Sequence, residues 1–98
     1  METPSVTPTS IAGRIDIKKV GHVVNATIAV TPTASSFANV ATGFPKAPFT
    51  VRTTGIVSSG AMASSFLTVE TTGLVRVCAS NADINKSLLF SITYITED

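Results

Sequence analysis

One run constrains the fold more than any other part of the chain: Gly13-Arg-Ile-Asp-Ile-Lys-Lys-Val-Gly-His-Val-Val-Asn-Ala-Thr-Ile-Ala-Val30. Ile15 and Ile17 alternate with Arg14, Asp16 and Lys18. Lys19-Val-Gly-His22 then interrupts the pattern with a glycine able to take positive φ. From Val24 the alternation resumes through Ala26, Ile28 and Val30, with Val23, Asn25, Thr27 and Ala29 on the opposite side. A period of two collects the apolar side chains on one face of an extended strand, whereas a helix would scatter them. The run therefore predicts an antiparallel hairpin with one buried face, on which the rest of the chain is laid as further strands.

Residues 1–10, with Pro4 and Pro8 among Ser and Thr, predict a linker or N-terminal arm outside any ladder, leaving 11–98 as a single domain. Pro32 ends the second strand, and Phe37 to Ala41 is a short strand or a crossing segment. Gly43-Phe-Pro-Lys-Ala-Pro48 makes a rigid corner leading into a strand over Phe49 to Val57. The small residues from Val57 to Ser65 predict a loop or a helical turn. Phe66 to Thr71 and Leu74 to Ala79 form a hairpin through Gly73. Ser80 to Ser87 is a polar loop, and Leu88 to Thr96 is the closing strand. Strands spaced by turn signals, with no convincing amphipathic helix, predict an all-β antiparallel β-sandwich or small barrel of six to eight strands.

The closing strand is apolar on both sides. Leu88, Phe90, Ile92 and Tyr94 share one face, while Leu89 and Ile95 bracket Ser91 and Thr93 on the other. Such a strand is either central in a two-layer core or pressed against another subunit. Charged residues make up 13% of the chain, about half the usual share. The sequence thus favours the subunit. A net charge of +1 from scattered Lys and Arg leaves no electrostatic footprint for nucleic acid or an anionic membrane. No apolar run approaches the roughly 18 residues of a spanning helix, and the N-terminus lacks a signal-peptide pattern, so membrane insertion is not expected. Cys78 has no partner for an intrachain disulfide, and its apolar strand predicts a buried, inert thiol.

One His, one Cys and six carboxylates without metal or nucleophile spacing predict no metal, no cofactor and no catalysis. Binding is easier to support, since loops at one end of a β-fold present planar polar groups and aromatic faces. The candidates are His22, Arg52, Asn81, Asp83, Asn85 and Tyr94. Each has a purely structural alternative: a solvated turn histidine, a strand charge, turn-forming Asn and Asp, and a core tyrosine with its hydroxyl at the edge. Asn25-Ala-Thr27 and Asn85-Lys-Ser87 match the glycosylation sequon, which has meaning only in a eukaryotic secretory pathway.

The order of three stretches resembles the C-terminal receptor-binding, baseplate or fibre head domains of tailed bacteriophages, particularly those infecting Gram-positive bacteria. They are the hairpin Gly13 to Val24, the corner Gly43-Phe-Pro-Lys-Ala-Pro48, and Gly73-Leu-Val-Arg-Val77 followed by Leu89-Phe-Ser-Ile-Thr-Tyr94. The resemblance covers residues 11 to 96. It implies a jelly-roll-like sandwich, a homotrimer, attachment to host cell-surface saccharide or another receptor, and a place on the virion after assembly in the bacterial cytoplasm. The aromatic residue that binds sugar in such heads is often Trp, which this chain lacks, so no family site residue is carried over. The rival expectations are a structural virion part contacting other virion proteins, such as a capsid decoration or fibre-joining domain, and a carbohydrate-binding module.

Overall fold

The computed structural model describes residues 2–97. They form eight strands: β1 (Thr7–Pro8), β2 (Ala12–Val20), β3 (Val23–Val30), β4 (Phe37–Thr42), β5 (Val51–Val57), β6 (Met62–Val69), β7 (Val75–Cys78) and β8 (Leu88–Ile95). All belong to one antiparallel sheet in the order β1-β4-β7-β6-β5-β8-β3-β2. The hairpin that dominates the sequence is β2–β3, with Ile17 opposite Ala26 and Val20 opposite Val23. Gly21, at φ +59°, opens its two-residue turn in the position that a type II′ turn gives to glycine.

The pairs β3·β8, β4·β7 and β5·β6 nest one inside the next. Winding this long folded ribbon brings β5 against β8 and β6 against β7, giving the spatial order 8-5-6-7 of a Greek key. This winding curls the sheet until it nearly closes. Alternate residues of every long strand then point into one core, whose fully buried members include Val24, Ile28, Val40, Leu67, Leu88 and Phe90.

Two segments depart from the sequence expectation. The N-terminal stretch is not an arm outside the ladder. Glu2 exchanges backbone hydrogen bonds with Lys19 of β2 at 2.7 and 2.8 Å, while Thr7 and Pro8 pair with Thr42 and Ala41 of β4. Residues 2–8 therefore lie in the seam between the two sheet edges and touch both. Proline tolerates this place because an edge strand needs only one side of its backbone for pairing. Thr9 adds an Oγ1–H bond of 2.6 Å to the Asn39 carbonyl. The second departure is the small-residue stretch 57–65, of which only 58–61 form the turn. Met62 stands opposite Ile56, so the rest enters β6. Small polar side chains do not forbid a strand when a neighbouring strand supplies the ladder.

The Gly73 turn is where a side chain is least tolerable. Gly73 sits at φ +85°, its N–H bonds to the Glu70 carbonyl at 3.0 Å, and its Cα faces the backbone of Phe44. The corner from Gly43 to Pro48 is pinned from β8. The Tyr94 hydroxyl donates to the Pro45 carbonyl at 2.7 Å, and the Thr96 hydroxyl donates to the Lys46 carbonyl at 2.6 Å. Phe44 and Ala47 are thereby held in the core.

Candidate functional site

Two consecutive rows of outward-facing residues run across β4, β7, β6 and β5. One row reads Phe37, Cys78, Phe66, Thr54; the next reads Asn39, Arg76, Thr68, Arg52. Cross-strand neighbours in a sheet stand close enough for side chains to meet, and long side chains also reach diagonally. Both arginines use that reach. The Arg52 guanidinium lies 4.6 Å from the centroid of the Phe66 ring, and that of Arg76 lies 4.4 Å from the Phe37 ring. The two rings meet edge to face, 5.8 Å between centroids and 79° between planes. Each cation–ring contact is worth about 0.5–1 kcal/mol at an exposed site, and the ring pair about as much again.

The two guanidiniums differ in charge environment. Arg76 is half-buried and forms an ion pair with Glu70. Arg52 is exposed, and no carboxylate lies within ion-pair distance of it among the described residues. Phe37 is 46% exposed, an unusual position for a large aromatic side chain on a sheet. The face thus presents an exposed aromatic ring, a guanidinium placed over a second ring but not neutralised, and the exposed Asn39. Cys78 belongs to this face. Its side chain is half-buried on the outer surface of β7, opposite both Phe37 and Phe66, and not within the core as its apolar strand suggested.

A second set of exposed residues lies on the outer surface of β6, β5, β8, β3 and β2. Met62, Ile56 and Leu89 stand in register across β6, β5 and β8. Val20, Val23 and Ile95 do the same across β2, β3 and β8. Leu89 and Ile95 are six residues apart on β8, about 20 Å at the usual strand rise. Beside Ile95, the 68% exposed Phe49 and Pro48 wall an open cleft of about 430 Å³. Between the two apolar rows lie Ser91, Thr93 and Asn25, all exposed.

The six residues singled out from the sequence are not brought together. His22 occupies the β2–β3 turn, where its Nδ1 contacts the Thr96 carbonyl at 2.9 Å; a carbonyl only accepts, so Nδ1 carries the proton. Tyr94 is buried and its hydroxyl is used on Pro45. Both are at the end of the fold where β8 finishes. Asn81, Asp83 and Asn85 lie beyond the other end of β8, in a loop that opens with a 3₁₀ turn, Asn81–Asp83. Asp83 is only 4% exposed and faces inward. Its Oδ2 accepts bonds from Ser65 Oγ at 2.6 Å, the Ser64 N–H at 2.9 Å and Ser80 Oγ at 3.4 Å. Those donors, Ser65 foremost, hold its pKa below the ordinary carboxylate value against the opposing effect of burial. Asp83 therefore ties the loop to β6. Asn85, exposed and at φ +63°, completes the same loop with its N–H on the Pro32 carbonyl at 2.8 Å.

Arg52 is the one candidate on the aromatic face. Phe37, Phe66 and Arg76 escaped sequence reasoning, although a signal for Phe66 existed. It has the opposite parity to Leu67 and Val69, so a strand that turns those two into the core must turn it to the outer face. Among the described residues no group of three His, Cys, Asp or Glu side chains is placed to hold a metal ion, and no helix is long and apolar enough to cross a membrane. Comparison of the chain with protein-family models, with curated proteins and with solved structures found no match.

Proposed function

We propose that this protein is a non-catalytic attachment module of a tailed-phage appendage, a homotrimer that holds the host cell surface through saccharide. The observation that carries the oligomer is the pair of separate apolar rows, Met62-Ile56-Leu89 and Val20-Val23-Ile95, on one outer surface. A ring of identical subunits joined head to tail needs two different patches on each copy, and two are present. Burying them among copies also accounts for the low charge of the chain, which leaves much of its surface without a solvating shell of charges. The arginine–phenylalanine face shares β5 and β6 with the Met62-Ile56-Leu89 row, but Arg52 and Phe66 stand four residues along those strands from Ile56 and Met62, and the Val20-Val23-Ile95 row lies on other strands altogether. Several equivalent faces on one assembly turn weak sugar contacts into firm adhesion. Assembly in the reducing bacterial cytoplasm suits the single unpaired Cys78.

The same apolar rows favour, as a second reading, a structural virion part whose fixed neighbour is another virion protein. Light scattering on a sizing column, followed by binding of the fluorescently labelled protein to bacterial cells, tests both. A mass of three chains with cell labelling supports the attachment module. A mass of one chain, or a trimer that labels no bacterium, sinks it. Leu89→Glu and Ile95→Glu are each expected to reduce the mass to that of a single chain, since a charge buried in an apolar contact is strongly unfavourable.

A further inference from the structure

We infer that the outer face of β4, β7, β6 and β5 is a binding site for an acidic saccharide, with Arg52 as the group that takes the acid and Phe37 as the apolar platform beside it. This rests on the attachment reading and gives it a site and a ligand class. Three observations converge. Arg52 is exposed, and no described carboxylate neutralises it, so its N–H donors face solvent. Its guanidinium nonetheless sits over the Phe66 ring, 4.6 Å from the centroid, a contact that restricts the conformational freedom it has to lose on binding. A planar fork of donors of this kind matches the two oxygens of a carboxylate or phosphate.

Next to it, Phe66 meets Phe37 edge to face, and Phe37 is 46% exposed although Arg76 covers one side of its ring. An exposed aromatic ring accepts the C–H face of a pyranose, and the exposed Asn39 offers an amide to its hydroxyls. Glu70 matters through what it removes. By pairing with Arg76 it leaves a single uncompensated cation on the face, too little for the successive phosphates of a nucleic-acid strand. One acid group next to one apolar ring face is the ligand this spacing accommodates, as in a uronate or a sugar phosphate.

The test is titration of the intact protein followed by NMR at the Arg52 Nε–H and the Phe37 and Phe66 ring protons. The probes are a glucuronate-containing hexasaccharide, a mannose phosphate and neutral cellohexaose. The expected result is saturable shifts at those signals with one or both acidic probes, and binding of cellohexaose weaker by about tenfold or more. Whichever acidic probe responds identifies the source of the oxyanion. Arg52→Gln is expected to abolish the response, and Arg52→Lys to weaken it about fivefold or more because charge survives but the fork does not. Phe37→Ala is expected to weaken it with the Arg52 response otherwise retained.

Absence of any shift at millimolar probe, equal response to cellohexaose, or an unchanged Arg52→Lys variant overturns the inference. Cell labelling separates it from the broader reading. If Arg52→Gln labels bacteria as wild type does, attachment stands and this site falls. If labelling is lost when the cells are treated with protease, the receptor is a protein and the saccharide assignment falls.

Discussion

Asp83 and Ser65, eighteen residues apart in sequence, share a 2.6 Å hydrogen bond in the interior, the hydroxyl donating to the carboxylate. The bond fastens the loop between β7 and β8 to β6, and with the Ser64 N–H and Ser80 Oγ it holds the carboxyl ionised below its ordinary pKa. A depressed folded-state pKa contributes stability that is fully present above the unfolded value, near 3.8, and lost as pH falls through the lower folded value. Wild-type unfolding free energy should therefore decline as pH drops below about 4, and Asp83→Asn should flatten that decline. At neutral pH the same variant should be less stable by about 2 kcal/mol, read from urea midpoints at constant slope.

Tyr94→Phe isolates the contact that fixes the proline-flanked corner. The ring stays in the core, but the buried Pro45 carbonyl loses the hydroxyl 2.7 Å away. A loss of about 1–2 kcal/mol is expected in chemical unfolding. Amide exchange is expected to quicken at Lys46 and Ala47 before it changes in β3. Unaltered exchange there would show that the proline geometry and the Thr96 hydroxyl on the Lys46 carbonyl hold the corner without the Tyr94 hydroxyl.

Gly73 and Gly21 both have positive φ, but only Gly73 faces the Phe44 backbone, whereas nothing lies within 4 Å of where a Cβ on Gly21 would sit. Gly21→Ala should therefore cost about 1–2 kcal/mol for the backbone conformation alone. Gly73→Ala carries that cost plus a collision with main chain, and should exceed it by about 1–3 kcal/mol. Thermal melts of the two variants in parallel check the difference. Equal losses would mean that the Phe44 corner moves aside.

Removing residues 1–9 should open the seam between β2 and β4. The Lys19 N–H loses its bond to the Glu2 carbonyl, and the Val40 carbonyl loses the Thr9 N–H. Hydrogen exchange at Lys19 should accelerate, and the two freed edges should raise concentration-dependent aggregation, since unpaired strand edges are templates for further pairing. Unchanged protection at Lys19 would show that the N-terminal segment is dispensable to the sheet.

Much of the fold is legible from parity. The buried faces of β2, β3 and β8 follow from Ile17, Ile28 and Phe90 with their neighbours at two-residue steps, because a strand allows no other arrangement. The turn at Gly21, the rigid corner and the exposed Leu89 and Ile95 follow from the same local rules. Thr7 and Pro8 were not legible as a strand, because their pairing depends on where β4 ends up. Met62 to Ser65 read as loop because small residues carry little pattern of their own.

What the sequence by itself determined was which side chains point together along each strand and where the chain must turn, since those depend on neighbours a few residues away. Only the tertiary structure decided which strands lie side by side. Phe37 meets Phe66 across β7, and Arg52 comes to rest on the Phe66 ring, through pairings between segments that sequence does not place in contact. Asp83 turned inward for the same reason, as the serines that satisfy it arrive from β6. Cross-strand neighbours are set by the winding of the whole sheet, and that winding minimises the free energy of one shared core and not of any segment alone.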